Sequence, residues 1–259
     1  MYNNRLNEVL EEIDAEDINL KSFDVQSELN PDIWHNNKID SNVRIKLLDI
    51  AHDFIETLAV RWVEPKDIVL TGSLANYNWS SYSDIDVHIL VEYSEVYKDK
   101  DFVEDYFKAK KDLWNETHED LTIYGFPVEV YVDDMDSPAH SSGVYSLVTN
   151  KWIKEPKDLS DARFNREYVM LVSAKYMTLI DELVAKYNLC DDKEKLGKLR
   201  ELAEKIFHKL RDKRKAGLET EACEMSSGNI IWKLLRREGY LDKVWNLIDD
   251  AYNEIHSIS

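Results

Sequence analysis

Residues 68–91 constrain the fold most strongly, because they place a glycine-serine turn and two aspartates between apolar runs. The first run, Ile68-Val69-Leu70, leads into Gly72-Ser73, and the second begins at Asp84-Ile85-Asp86-Val87. Alternate side chains of a strand lie on one face, so Asp84 and Asp86 point the same way. Two carboxylates this close repel each other unless a cation lies between them, and hard divalent ions prefer carboxylate oxygen. An isolated Asp-x-Asp is usually a solvated strand end, but the upstream Gly-Ser turn favours a cation site.

The order and spacing of these residues resemble the nucleotidyltransferase superfamily typified by DNA polymerase beta. That family combines an apolar strand, Gly-Ser or Gly-Gly, a short helix, an Asp-apolar-Asp strand and a third carboxylate on a later strand. Ser73 and Asp84 are separated as the family requires. The wording from Gly72 to Asp86 is also similar to nucleotidyltransferase-like proteins of tailed bacteriophages. The resemblance implies an α+β fold built on a nucleotidyltransferase-type mixed sheet with flanking helices.

The third carboxylate is expected in the run Phe126–Asp133, where alternation places Glu129, Tyr131 and Asp133 on one strand face. Glu129 is the candidate, because it stands between two valines and so matches the apolar–acid–apolar pattern of the family. Asp133 is the alternative. It begins the run Asp133-Asp134-Met135-Asp136, which is more typical of a strand that exits into a turn.

The Gly72-Ser73 turn is the candidate nucleotide-binding element. A short helix is predicted over Leu74–Asn78, and helix N-termini expose unpaired N–H groups that suit a phosphate. Gly72 permits close backbone approach, and the Ser73 hydroxyl can donate to a phosphate oxygen. Asn76 is expected to help line the same site.

The resemblance implies transfer of an NMP group from an NTP, with ATP expected as the donor, to an acceptor hydroxyl on a protein, a small molecule or an RNA end. Asp84, Asp86 and Glu129 would ligate Mg²⁺ or Mn²⁺, and Glu129 is also the candidate general base. The alternative is a catalytically silent nucleotide-binding protein, or a phage assembly or interaction protein, with the same fold.

Charge is distributed unevenly along the 259 residues. Residues 1–150 hold 12 basic and 31 acidic residues, whereas residues 151–259 hold 21 and 20. The acidic half opposes binding of extended nucleic acid, whose affinity comes mostly from Lys and Arg. Two cysteines, Cys190 and Cys223, form neither a metal spacing nor a disulfide framework and suit a reducing cytosol. Because no signal-type or membrane-spanning apolar run is found, we expect a cytoplasmic protein, in the host cytoplasm if phage-encoded, with no membrane partner.

Apolar periodicity predicts two domains, a catalytic domain over 1–157 with an N-terminal helical extension and a helical domain over 158–259. In the first domain we predict a helix over 5–13, an irregular stretch anchored by Trp34, and a helix capped by Ser41 that extends to about Ala59. Strands at 67–70 and 84–91 follow, then a helix over 100–115 with Phe102 and Leu113 buried, a hairpin turning at Gly125, and a strand over 142–153. The second domain should contain helices over about 161–187, 193–215, 229–238 and 241–256. Homo-oligomerisation through the N-terminal part is possible.

The roles of His88 and of the basic residues in the C-terminal helices are each left with two alternatives. His88 shares the strand face of the aspartates, so it either contacts substrate or a carboxylate, or lies at the rim of the strand, which is favoured. The basic run Lys205–Lys215 and the pair Arg236-Arg237 either form a solvated helix surface or reach an anionic substrate.

Overall fold

The computed structural model describes residues 12–136, 141–159 and 163–258. The chain divides into two compact units, one of Ser22–Asp161 and one of Met1–Lys21 with Ala162–Ser259. The first is the sheet unit and the second the helical unit. Most of the helix predicted over 5–13 lies outside the described residues. The described part of the N-terminal extension groups with the C-terminal helices, because the Ile13 N–H donates to Thr178 Oγ1 at 3.1 Å.

The sheet unit contains a six-stranded mixed sheet in the order β5-β6-β4-β3-β7-β8. Strands β4 and β6 are parallel, and the other neighbours are antiparallel. A two-stranded ribbon precedes the sheet. The strands are β1 (Trp34–His35), β2 (Lys38–Ile39), β3 (Asp67–Thr71), β4 (Ile85–Val91), β5 (Thr122–Ile123), β6 (Phe126–Asp134), β7 (Val144–Ser146) and β8 (Lys151–Lys154).

Three helices accompany this sheet, namely α1 (Ser41–Thr57), α2 (Tyr93–Val96) and α3 (Lys100–Thr117). Helix α1 buries Val43, Leu47, Ala51 and Phe54 at the three- and four-residue spacing of one helix face. On β4 the buried positions alternate strictly with half-buried ones. One face of β4 therefore belongs to the core, and the other carries Asp86 and His88.

Several local predictions are corrected here. Asp40, not Ser41, caps α1, since its carboxylate accepts from two N–H groups of the first turn. Phe102 and Leu113 are exposed, because Val103, Phe107 and Trp114 form the buried stripe of α3. The predicted strand over 142–153 is two strands, β7 and β8, that turn at Asn150, where φ is 57°.

The helical unit contains α4 (Arg166–Asn188), α5 (Lys193–Leu218), α6 (Ser227–Arg237) and α7 (Tyr240–His256). Asn165, Asp192 and Ser226 cap the first three of these with side-chain oxygens. The predicted mixed sheet with flanking helices and a C-terminal set of helices is confirmed. No described helix is long and apolar enough to cross a membrane.

Candidate active site

The three predicted carboxylates come together at one edge of the half-buried sheet face. Each of Asp84, Asp86 and Glu129 offers a carboxylate oxygen within 4.8 Å of the others. Asp86 and Glu129 are register partners on the parallel strands β4 and β6, and Asp84 directly precedes β4. Adjacent parallel strands place register partners side by side on one face, so the sheet itself brings these acids together. Asp133 lies outside the cluster, four residues further along β6.

Gly72 places the turn after β3 directly against Asp86. Its φ of 74° and ψ of −164° fall in a region that is essentially restricted to glycine. A Cβ atom at this position would lie 1.7 Å from Asp86 Oδ2. A side chain is therefore excluded both by backbone conformation and by space, and the turn backbone reaches the carboxylate cluster at van der Waals distance.

The helix after this turn is shorter than predicted, a single 3-10 turn over Ser73–Ala75. Ser73 is buried, and its hydroxyl donates to Ser83 Oγ at 2.7 Å. Ser83 Oγ also accepts from the Ser80 N–H at 3.0 Å. These bonds join the start of the connection between β3 and β4 to its end. Because one 3-10 turn has little macrodipole, phosphate binding here would depend on individual backbone N–H groups.

Asn76 lies fully buried at the centre of this connection. Its side-chain Nδ2 donates to Gly72 O at 2.6 Å and to Ser141 Oγ at 2.9 Å, and its Oδ1 accepts from the Ser142 hydroxyl. These are the contacts of a residue that holds the turn in place. Its predicted nucleotide contact stays a prediction.

Gly143 completes this packing from the strand β7 side. A Cβ atom there would meet Ala75 O at 2.0 Å, and the Gly143 carbonyl accepts from Thr71 Oγ1 at 3.1 Å. The segment before β7 therefore lies flat against the 3-10 turn, which only a residue without a side chain permits.

The predicted anchor Trp34 also supports the connection. Its indole N–H donates to Leu74 O at 2.7 Å, and its ring stacks on Trp152 with centroids 4.6 Å apart. A little earlier in the chain, Gln26 donates to Tyr77 O at 2.7 Å and Glu28 accepts from the Trp79 indole at 2.9 Å. The irregular stretch before α1 thus forms a brace along the turn.

A second row of side chains lies beside the carboxylates on the same sheet face. Tyr131 is the register partner of His88, two residues along each strand from Asp86 and Glu129 and the next pair on this face. Its hydroxyl donates to Glu129 Oε2. The rings of Tyr131 and His88 stack with centroids 4.6 Å apart and planes at 11°. His88 Nδ1 lies 2.5 Å from Asp133 Oδ2, so His88 contacts a carboxylate, one of its two predicted roles.

Burial and nearby negative charge both favour the protonated form of the Tyr131 hydroxyl. Burial raises the pKa of the Tyr131 hydroxyl well above its usual value, and the negative charges of Asp86 and Glu129 raise it further. The hydroxyl therefore keeps its proton near neutral pH and serves as a hydrogen-bond donor to Glu129.

The donor set fits a hard divalent cation. Three carboxylates supply only oxygen, and Mg²⁺–oxygen bonds of about 2.1 Å place ligands on opposite sides of an ion about 4.2 Å apart. The three carboxylate oxygens lie within 4.8 Å of one another, so they are close enough to share one ion. In addition, like charges at this separation oppose one another until a cation joins them.

Fold and site together define an α+β domain with a carboxylate triad, beside a Gly-Ser turn, that is compatible with a divalent metal. Residues 52–167 match the family model described as "Nucleotidyltransferase domain". This match fits the polymerase beta-like nucleotidyltransferase superfamily that the sequence resembles, and it supports nucleotidyl transfer in general with an NTP as substrate. Comparison with curated proteins and with solved structures gives no match.

The sequence places Tyr131 on the strand face of Glu129, but it does not predict the bond between these two side chains. Ser83, Ser141 and Gly143 also support the site and were not predicted to do so. The bonds of Ser83 and Ser141 depend on loop geometry, for which the sequence carries no periodic signal.

Proposed function

We propose that the protein is a divalent-metal-dependent nucleotidyltransferase that moves an NMP group from an NTP, with ATP the expected donor, to an acceptor hydroxyl. The convergence of Asp84, Asp86 and Glu129 within 4.8 Å, inside a segment that matches the nucleotidyltransferase domain, carries this proposal. The sheet unit, within the 1–157 region, would be the catalytic domain. The helices of 158–259, with which the described residues up to Lys21 group, would form a helical domain.

The carboxylates would ligate Mg²⁺ or Mn²⁺. When bound, such an ion supplies charge neutralisation at the phosphates and lowers the pKa of an attacking hydroxyl. Glu129 would accept the proton of that hydroxyl. In the reaction the acceptor oxygen forms a bond to the α-phosphorus, the bond from that phosphorus to the bridging oxygen breaks, and pyrophosphate leaves with the bonding electrons.

The turn residues would bind the phosphates. Gly72 brings the backbone next to Asp86, so an N–H group of the turn can face an oxygen of a phosphate whose metal is held by the carboxylates. Ser73 would add its hydroxyl after exchanging its bond to Ser83. Asn76 would act by holding the turn through its bonds to Gly72 and Ser141.

The test incubates purified protein with Mg²⁺ or Mn²⁺ and each α-labelled NTP in turn, in the presence of total RNA, cell lysate protein and a small-molecule extract. We expect label to move into one of these fractions, which then identifies the acceptor class. The Asp84→Ala/Asp86→Ala double variant should transfer nothing. The Asp49→Ala/Asp53→Ala double variant is the matched control, because it removes the same charge from exposed positions of α1 and should transfer at the wild-type rate.

Metal-dependent stabilisation gives a second measurement that requires no acceptor. Binding at a cation concentration of 100 times Kd stabilises the folded state by about 2.7 kcal/mol. We expect Mn²⁺ to raise the melting temperature of the wild type and of the α1 control, and to leave the Asp84→Ala/Asp86→Ala variant unchanged. Equal responses in all three proteins, or full transfer by the double variant, would refute the proposal. NTP binding without transfer to any fraction would favour the silent nucleotide-binding alternative.

A further inference from the structure

We propose that Tyr131 is a positioning residue for cation binding, which holds Glu129 so that one chosen carboxylate oxygen faces the metal site. This inference rests on the proposed function and assigns a role to a residue outside the Gly-Ser and Asp-x-Asp motif. It is carried by the hydroxyl contact to Glu129, by the packing that fixes the Tyr131 ring, and by the strand register.

The first step is the hydrogen bond itself. The Tyr131 hydroxyl donates to Oε2 of Glu129 and so fixes the rotation of that carboxylate. Oε1 is then the oxygen that remains for ligation. A donor at Oε2 also partly neutralises the negative charge of Glu129, which reduces the repulsion within the triad. Groups of this kind, which orient a metal ligand without touching the metal, commonly determine metal affinity.

The second step is the rigidity of the ring. Tyr131 stacks on His88, and the Lys111 ammonium lies over the same ring at 4.8 Å from its centroid. His88 is held in turn by Asp133 at 2.5 Å. A ring packed in this way loses little freedom when its hydroxyl bonds to Glu129, so the bond is present before any cation arrives.

The third step is the register. Asp86 pairs with Glu129, and the next pair on the same face is His88 with Tyr131. The parallel pairing of β4 and β6 therefore builds two consecutive layers, one that binds the cation and one that supports it. A shift of one residue would place Tyr131 on the core face, so the same register specifies both layers.

The experiment compares Tyr131→Phe with wild type by titrating the metal-free proteins with Mn²⁺ alone and measuring free Mn²⁺ by electron paramagnetic resonance. We expect the Kd to rise roughly tenfold. Tyr93→Phe is the matched control, because Tyr93 is also a buried tyrosine whose hydroxyl donates to β6, at Val132 O and 2.9 Å, on the core side of the strand. That variant should keep the wild-type Kd.

A double-variant cycle separates positioning from a general structural role. If Tyr131 acts through Glu129, then Tyr131→Phe has no further effect on the Kd in a Glu129→Ala background. With labelled NTP, Tyr131→Phe should need roughly tenfold more Mg²⁺ for its half-maximal rate and reach nearly the wild-type kcat at saturating Mg²⁺.

The outcomes are distinguishable. An unchanged Kd in Tyr131→Phe, or an equal rise in the Glu129→Ala background, overturns the role of Tyr131 while the proposed function stands. If wild type binds Mn²⁺ no more tightly than Asp84→Ala/Asp86→Ala, the proposed function fails and the positioning role falls with it.

Discussion

Replacement of Gly72 by alanine tests the contact between the turn and the carboxylate cluster. The new Cβ would lie 1.7 Å from Asp86 Oδ2, and real Cβ atoms do not approach other atoms within 3.0 Å, so the separation must grow by about 1.3 Å. The contacting atom is the end of a side chain, so we expect the Asp86 carboxylate to rotate away from the cluster. The turn backbone would largely keep its path.

Two magnitudes follow. An alanine held in a glycine-only backbone region costs about 1–3 kcal/mol in the free energy of unfolding. A misplacement of about 1 Å at a reacting centre lowers the turnover rate by about 100-fold. We therefore expect Gly72→Ala to lower the free energy of unfolding in urea by about 1–3 kcal/mol. Its rate of nucleotidyl transfer should fall at least about 100-fold, and its affinity for Mn²⁺ should also fall.

Gly125→Ala provides the matched control for backbone strain. Gly125 also has a positive φ, 82°, in the turn between β5 and β6, but a Cβ there would meet nothing within 4 Å. This variant should lose stability from strain and keep its transfer rate and Mn²⁺ affinity. If Gly72→Ala matches Gly125→Ala in rate and affinity, the argument that the turn shapes the position of Asp86 is wrong.

Two further variants test the brace and a surface ion pair. Trp34→Phe removes the indole N–H that donates to Leu74 O, and because a buried carbonyl then loses its partner, the free energy of unfolding in urea should fall by about 1–3 kcal/mol. Trp62→Phe is the control, because the Trp62 indole donates to Glu95 O at an exposed position, and it should cost far less. Equal losses in the two variants would contradict the bracing role. Burial raises the pKa of Asp134, but the bonds from Lys100 and from the Tyr93 N–H outweigh it and leave this pKa below its usual value. A depressed pKa gives stability that is present above the unfolded value of about 3.9 and is lost as pH falls through the folded value. The unfolding free energy of wild type should therefore decline more steeply below about pH 4 than that of Lys100→Met, and parallel pH curves would contradict this.

The sequence predicted the strands that carry the acidic residues well because their signals are local. Alternation placed Asp84, Asp86 and Glu129 on strand faces, and strong apolar runs marked β3, β4 and β6. Their convergence depended on one further fact, that β4 and β6 are neighbours. Hydrophobic patterning does not specify strand order, so the family resemblance supplied it.

The predictions that were wrong also have physical causes. The helix predicted over 74–78 is only one turn, because Asn76 directs its amide to Gly72 O and Ser141 Oγ, which turns the chain away from a helical path. Phe102 and Leu113 were expected to be buried because apolar residues are spread around much of α3. Packing against one surface selects a single stripe, and Trp114 rather than Leu113 occupies it.

The proposed chemistry requires three carboxylates close together, whereas their mutual repulsion destabilises the folded site. Three carboxylates within 4.8 Å repel one another and favour unfolding in the absence of a cation. Gly72 adds a cost, because glycine loses more backbone freedom on folding than other residues do. Besides the bonds inside the motif, three bonds depend on residues outside it: Trp34 donates to Leu74 O, Asn76 donates to Ser141 Oγ, and Tyr131 donates to Glu129. Trp34, Ser141 and Tyr131 lie in the brace before α1, before β7 and on β6, so the geometry of the motif over 70–86 depends on other parts of the sheet unit. Transfer of that motif alone onto another sheet should therefore reproduce the acidic residues but not their metal affinity.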